Sequence, residues 1–124
     1  MTGRRQILVV EDEPLIGMDI ETTLEDAGFD VLGPATSVAD ALSLLERHGC
    51  DAAILDVNLV GETSEPVAER LAAKGVPFIT FSGHAKDQAP AVFRASIFLA
   101  KPALPEELLA AVDSLLPPRQ ERAG

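Results

Sequence analysis

The chain has no tryptophan and no tyrosine; five phenylalanines are its whole aromatic content. Nucleic-acid modules that stack bases on aromatic side chains are therefore not expected. Positive charge is also scarce: ten Lys and Arg stand against 20 Asp and Glu, a formal net charge of −10. Such a chain repels a polyanion, so no nucleic-acid partner is expected. The single cysteine, Cys50, excludes an internal disulfide, as suits a reducing compartment. No apolar run approaches the roughly 20 residues of a membrane span, and the N-terminus shows no apolar signal stretch. A cytoplasmic chain without membrane contact is the expectation.

What is present suits one globular domain. A chain of 124 residues buries roughly two thirds of its unfolded surface, so its core needs neither a metal nor a disulfide. Hydrophobic residues make up 47% and charged residues 24%, an ordinary globular balance. One domain over residues 1–124 is expected, with a core from about 6 to 116, a flexible tail at 117–124, and a monomeric or weakly dimeric state. The acidic excess is lopsided. Residues 1–62 carry 13 acids against three bases, whereas residues 63–124 carry seven of each. The first half presents either a solvated acidic face or carboxylates gathered around a cation.

Strand and helix patterns alternate along the chain. Gln6–Val10, Asp30–Ala35, Ala52–Asp56, Pro77–Phe81 and Ile97–Ala100 are short apolar runs of strand type. Between them, Pro14 opens an amphipathic stretch that Gly28 stops, and Ser37 starts a helix in capping-box fashion that runs to Gly49. Pro66–Lys74 is helical and ends at Gly75, a short helix falls within Asp87–Ala95, and Pro105–Leu116 is the last. Left-handed caps are expected at Gly28, Gly49 and Gly75. Five strands alternating with about five helices specify an α/β fold, a flavodoxin-like doubly wound five-stranded parallel sheet of order 2-1-3-4-5.

In such a sheet, ligands bind beyond the carboxyl ends of the strands, where the strand order reverses. Strand 1 ends in Glu11-Asp12, strand 3 in Asp56, strand 4 in Ser82-Gly83 and strand 5 in Lys101-Pro102. Three carboxylates, a hydroxyl and an ammonium thus meet on one rim. Crowded carboxylates resist ionisation unless a cation joins them, and hard oxygen ligands suit Mg²⁺. A carboxylate is also a nucleophile toward phosphorus, with Lys101 and a metal neutralising charge and Ser82 donating to a phosphoryl oxygen.

The motifs VVEDEP (Val9–Pro14), AAILDVNL (Ala52–Leu59), FSG (Phe81–Gly83) and LAKP (Leu99–Pro102) come in this order, each at a strand end. Over about residues 6–116 the chain resembles a response-regulator receiver domain of bacterial two-component signalling. The resemblance is to CheY-like stand-alone receivers, and to an alphaproteobacterial subgroup with a FATG-like fourth-strand motif. It implies that Asp56 is the phosphoacceptor. Asp12, Asp56 and the backbone carbonyl of Asn58 would bind Mg²⁺ (or Mn²⁺), with Glu11 acting through a metal-bound water. Ser82 and Phe98 would be switch residues, Lys101 would pair with the phosphoryl group, and Asn58 and His84 would tune its hydrolysis. The implied activity is Mg²⁺-dependent phosphoacceptance, with self-phosphorylation and self-dephosphorylation but no other enzymatic turnover. The implied partners are a sensor histidine kinase or histidine phosphotransferase and a downstream protein, unless the chain acts as a phosphate sink.

Two departures from the family pattern bear on the output surface. Val60 replaces the usual proline four residues after the phosphoacceptor, and Ala89-Pro90 interrupts a short stretch, so a short or irregular fourth helix is expected. Singly, each motif has a plainer reading. Glu11-Asp12 is a solvated turn, Lys101-Pro102 a strand exit, Phe98 core packing, His84 an exposed loop histidine, Cys50 a structural thiol and His48 a surface residue. The rival from the enzyme class is an aspartate-nucleophile phosphohydrolase of the haloacid-dehalogenase type, which needs an acid where Asn58 stands. A flavodoxin-like electron carrier would want Gly, Ser and Thr where strand 1 is followed by acids.

Overall fold

The computed structural model describes residues 4–83 and 86–116. Five strands, β1 (Gln6–Val10), β2 (Asp30–Ala35), β3 (Ala52–Asp56), β6 (Phe78–Ser82) and β7 (Ile97–Ala100), pair in parallel in the order β2-β1-β3-β6-β7. This is the expected doubly wound order. Two further strands went unread in the sequence. β4 (Asn58–Leu59) and β5 (Glu62–Thr63) form a small antiparallel hairpin directly after β3. Two-residue strands carry no readable alternation.

Five helices link the strands: α1 (Pro14–Asp26), α2 (Val38–His48), α3 (Glu65–Lys74), α4 (Ala91–Arg94) and α5 (Pro105–Leu115). Period-2 alternation in the strands splits the core into two layers. Ile7, Val9, Ala52, Ile54, Ile79 and Phe81 pack with α1 and α5 on one face. Leu8, Val10, Ala53, Leu55 and Phe78 pack with α2, α3 and α4 on the other. Because the three central strands are covered on both faces, they read as continuous apolar runs.

Local chemistry fixes the helix ends. Ser37 Oγ accepts the Asp40 N–H at 3.1 Å, as the Ser37 start predicts, and the Glu62 carboxylate of the hairpin accepts the Val38 N–H at 2.9 Å. Gly75 closes α3 in the left-handed region, but Gly49 combines a φ of 71° with an extended ψ of 173°, so the cap expected there is of another kind. The fourth helix is short, as Ala89-Pro90 implies. A single 3₁₀ turn (Lys86–Gln88) precedes Pro90, which stands at the N-cap of the four-residue α4. So short a helix is held by packing. Its Phe93 is fully buried and meets Phe78 edge-on, with ring centroids 6.4 Å apart.

His48 is exposed at the end of α2, and Cys50 is half-buried ahead of β3. Burial pushes the Cys50 thiol up to about 11, although a hydrogen bond from the Leu8 backbone pulls the other way. Against the ordinary 9.0 of a free thiol, that leaves roughly a hundredfold less thiolate near pH 8. We expect alkylation of the native protein to be slower by about that factor than in denaturant, once thiol exposure is equalised; equal rates would contradict it. His84 and the tail at 117–124 lie outside the described residues.

Candidate functional site

The carboxyl ends of β1, β3, β6 and β7 bring the predicted rim together. Glu11 follows β1 directly, is fully buried, and is held by its N–H to the Ala35 carbonyl at 2.9 Å. Asp12 is half-buried beside it. Asp56, the last residue of β3, is buried, and so is Ser82, the last of β6. Lys101 follows β7, where its N–H donates to the Ser82 carbonyl at 2.8 Å, so the strand pairing itself aims this lysine at the rim.

Lys101 Nζ lies 3.0 Å from Asp56 Oδ2 and 3.1 Å from Glu11 Oε1, and 5.4 Å from the centroid of the Phe81 ring. The Asp56 side chain also accepts the Asn58 N–H at Oδ1, 3.3 Å away. One carboxylate oxygen from each of Glu11, Asp12 and Asp56 lies within 4.8 Å of the other two. Burial raises the Glu11 pKa; the Lys101 ammonium beside it opposes this, and the charge of Asp56 adds to it. Burial acts on Lys101 in the opposite sense. Its hydrogen bond to Asp56, its ion pair with Glu11 and their charges outweigh that and hold its pKa above the ordinary value.

The remaining predicted residues fall near this centre with different exposure. Asn58 is exposed at the start of the hairpin. Phe98 is half-buried in β7 opposite Thr80, packed toward the α2–α4 layer. A cavity of about 270 Å³ lies beside Ser82 and is lined also by Val57, Asn58, Gln88, Ala89 and Pro90.

Two contacts were not anticipated. Ser64, fully buried, donates its hydroxyl to the Asp56 backbone carbonyl at 2.5 Å, and its N–H goes to the Val57 carbonyl at 2.9 Å. A Ser-Glu-Pro sequence reads as a helix cap, yet this hydroxyl caps nothing in α3; it ties down the residue that carries the central carboxylate. Ser64→Ala leaves that carbonyl without its buried partner and should cost about 1–3 kcal/mol of stability in urea unfolding followed by circular dichroism. Unchanged stability would contradict this role. The second contact joins Asp12 Oδ2 to the Val60 N–H at 2.6 Å, across the tip of the hairpin.

The profile of the response regulator receiver domain matches residues 7–113. The chain belongs to this family. SdrG from Sphingomonas melonis Fr1 is 45% identical, and the match covers 93% of this chain and 98% of SdrG with a TM-score of 0.80. The BeF3-activated conformation of SdrG matches at 44% identity and a TM-score of 0.73, over 90% of this chain and 98% of that one. Among curated relatives, the transcriptional regulatory protein PdtaR of Mycobacterium tuberculosis is 28% identical over 113 residues, 88% of this chain and 55% of that protein. The chain spans about half the length of the curated relatives that match most of it.

Receiver domains are signalling proteins that bind Mg²⁺ at an acidic pocket, and in this chain Glu11, Asp12 and Asp56 form an acidic cluster. The residues fit a hard dication. Three oxygens converge from separate side chains, and buried Glu11 Oε1, although near the Lys101 ammonium, has no aligned hydrogen-bond donor. No helix among the described residues is long and apolar enough to cross a membrane.

Proposed function

We propose that this receiver accepts a phosphoryl group on Asp56 from a histidine kinase or histidine phosphotransferase. The observation that carries the reading is the buried Asp56 carboxylate, ion-paired to Lys101 at 3.0 Å and converging with Glu11 and Asp12. In the transfer, an Asp56 oxygen forms the new P–O bond while the donor's P–N bond breaks, and the bonding pair stays on the imidazole nitrogen. Hydrolysis unloads the site: water attacks phosphorus, the Asp56 O–P bond breaks with its pair left on the carboxylate, and inorganic phosphate is released.

Asp12, Asp56 and the Asn58 carbonyl would hold Mg²⁺, with Glu11 acting through a water. The ion supplies neutralisation of charge developing on the phosphoryl oxygens. Lys101 exchanges its present carboxylate partners for a phosphoryl oxygen, and Ser82 donates a hydrogen bond to another. Asn58 and His84 would govern how water reaches the acyl phosphate. A groove of about 560 Å³ runs from Lys101 between α1 and α5, flanked by exposed Leu15 and Leu104, and gives the histidine donor a surface to dock on. We read the chain as a cytoplasmic phosphoacceptor domain, monomeric or weakly dimeric, acting through a downstream protein or as a phosphate sink. Its turnover is confined to loading from small phosphodonors and to self-dephosphorylation. The haloacid-dehalogenase alternative is disfavoured by Asn58, whose carboxamide offers no acidic proton where that mechanism needs a general acid.

Phosphorylation would draw Ser82 toward the phosphoryl group and let Phe98 turn inward, with the cavity beside Ser82 giving the neighbouring segment room to rearrange. Hydrogen exchange with Mg²⁺ plus beryllofluoride, a phosphoryl mimic, against Mg²⁺ alone tests this. We expect altered protection around Asp56 and across residues 82–104. Changes confined to the Asp56 surroundings would favour the sink, and identical exchange throughout would contradict the phosphoacceptor reading.

A further inference from the structure

We propose that the backbone N–H of Val60, at the tip of the β4–β5 hairpin, positions Asp12 as a metal ligand, so that the hairpin sets the affinity of the acidic cluster for Mg²⁺. The inference rests on the reading of that cluster as a Mg²⁺ site, and adds to it an uncharged group 48 residues away from Asp12 in sequence.

The geometry makes the bond a support and not a competitor. The Val60 N–H donates to Asp12 Oδ2 at 2.6 Å, and a carboxylate acceptor makes such a bond stronger than one between neutral groups. A carboxylate offers about four lone-pair sites, so one donor leaves Asp12 capacity for a cation. An Asp12 oxygen still lies within 4.8 Å of ligand atoms from Glu11 and Asp56 while the bond is made. The side chain is therefore ordered before any ion arrives, and ligation does not have to supply that ordering.

The amide is available because of the turn. Leu59 and Glu62 form the closing pair, so Val60 and Gly61 are a two-residue loop and the Val60 N–H stands outside the ladder. The hairpin that carries it is fixed at its base to Asp56 through Ser64, and on its flank to the start of α2 through Glu62. It thereby holds Asp12 in a set position relative to Asp56.

The same turn supplies a clean test. Gly61 has a φ of +77° and Val60 does not have a positive φ, the sign pattern of a type II turn, which accepts proline at its first central position. Leu59 is extended, as the residue before a proline must be. Val60→Pro thus removes the donor and keeps the turn, while Val60→Ala keeps the donor and trims a side chain that is 88% exposed.

Mg²⁺ titrations by calorimetry on wild type, V60P and V60A should show V60P weakened about tenfold, the low end of what losing a ligand-orienting partner costs, with V60A within twofold of wild type. Equal or tighter binding by V60P overturns the inference, as does a loss in V60A matching that in V60P. If wild type binds no Mg²⁺, the metal-site reading fails and takes the inference with it. Should V60P not fold, amide exchange in the metal-free protein decides. Faster exchange at Val60 in Asp12→Ala than in wild type supports the bond, and unchanged exchange overturns it.

Discussion

Asp56→Asn should abolish Mg²⁺-dependent labelling by acetyl phosphate, while the wild-type protein gains the mass of one phosphoryl group. The substitution is close to isosteric. Its carboxamide oxygen can still accept from Lys101 or from the Asn58 N–H, so the fold and the lysine's position are kept. What it lacks is the anionic oxygen that attacks phosphorus. Glu11 and Asp12 cannot readily substitute: Glu11 is fully buried under Lys101, and Asp12 is engaged with the Val60 N–H. Intact-mass analysis after incubation with acetyl phosphate, with and without Mg²⁺, reads the outcome. Labelling of the Asn variant to the wild-type extent would contradict the assignment.

Millimolar Mg²⁺ should raise the melting temperature of the wild-type protein, and Asp12→Ala should remove most of that response. A ligand of the folded state at a hundredfold excess over its Kd adds about 2.7 kcal/mol, which for a domain of this size is roughly 10 °C. The metal-free site has stability to regain. Burial raises the Glu11 pKa, so its protonated form is the one folding favours. The contribution is present below the ordinary 4.5 of a glutamate and is lost as pH rises through the raised folded value. Lys101, held charged by Asp56 and Glu11, keeps its own contribution until pH rises through its raised value, well into the alkaline range. The Mg²⁺ response should therefore be larger at pH 7 than near pH 4.5. With no Trp or Tyr, calorimetry or circular dichroism must report it. No shift in wild type would count against the metal site.

The fold was legible because its three central strands are buried on both faces, so Ile7–Val10, Ala52–Leu55 and Phe78–Phe81 stand out as apolar runs that only Thr80 interrupts. The rim was legible for a related reason. In a parallel sheet every strand exits on the same side, so the polar residue that ends each run, Glu11, Asp56, Ser82 or Lys101, is placed by topology alone. The hairpin was not legible, since Asn58–Leu59 and Glu62–Thr63 are too short for alternation. Val60-Gly61 shows as a turn only once the pairing of Leu59 with Glu62 is known. Ser64 was hidden in another way. Its sequence context signals a helix start, and only the chain's return past Asp56 turns its hydroxyl to a carbonyl eight residues back. The Val60 N–H belongs to the backbone, and no side-chain motif could have announced it.

Locating the phosphoryl group tests the central claim most directly. After loading with acetyl phosphate and Mg²⁺, borohydride reduces an acyl phosphate to the alcohol, converting a phosphorylated aspartate into homoserine that survives digestion. Peptide mass spectrometry should find that conversion at position 56 and not at Glu11 or Asp12. Reduction at another residue in wild type, or a stable phosphate ester on Ser82 or Ser64 in its place, would contradict the account.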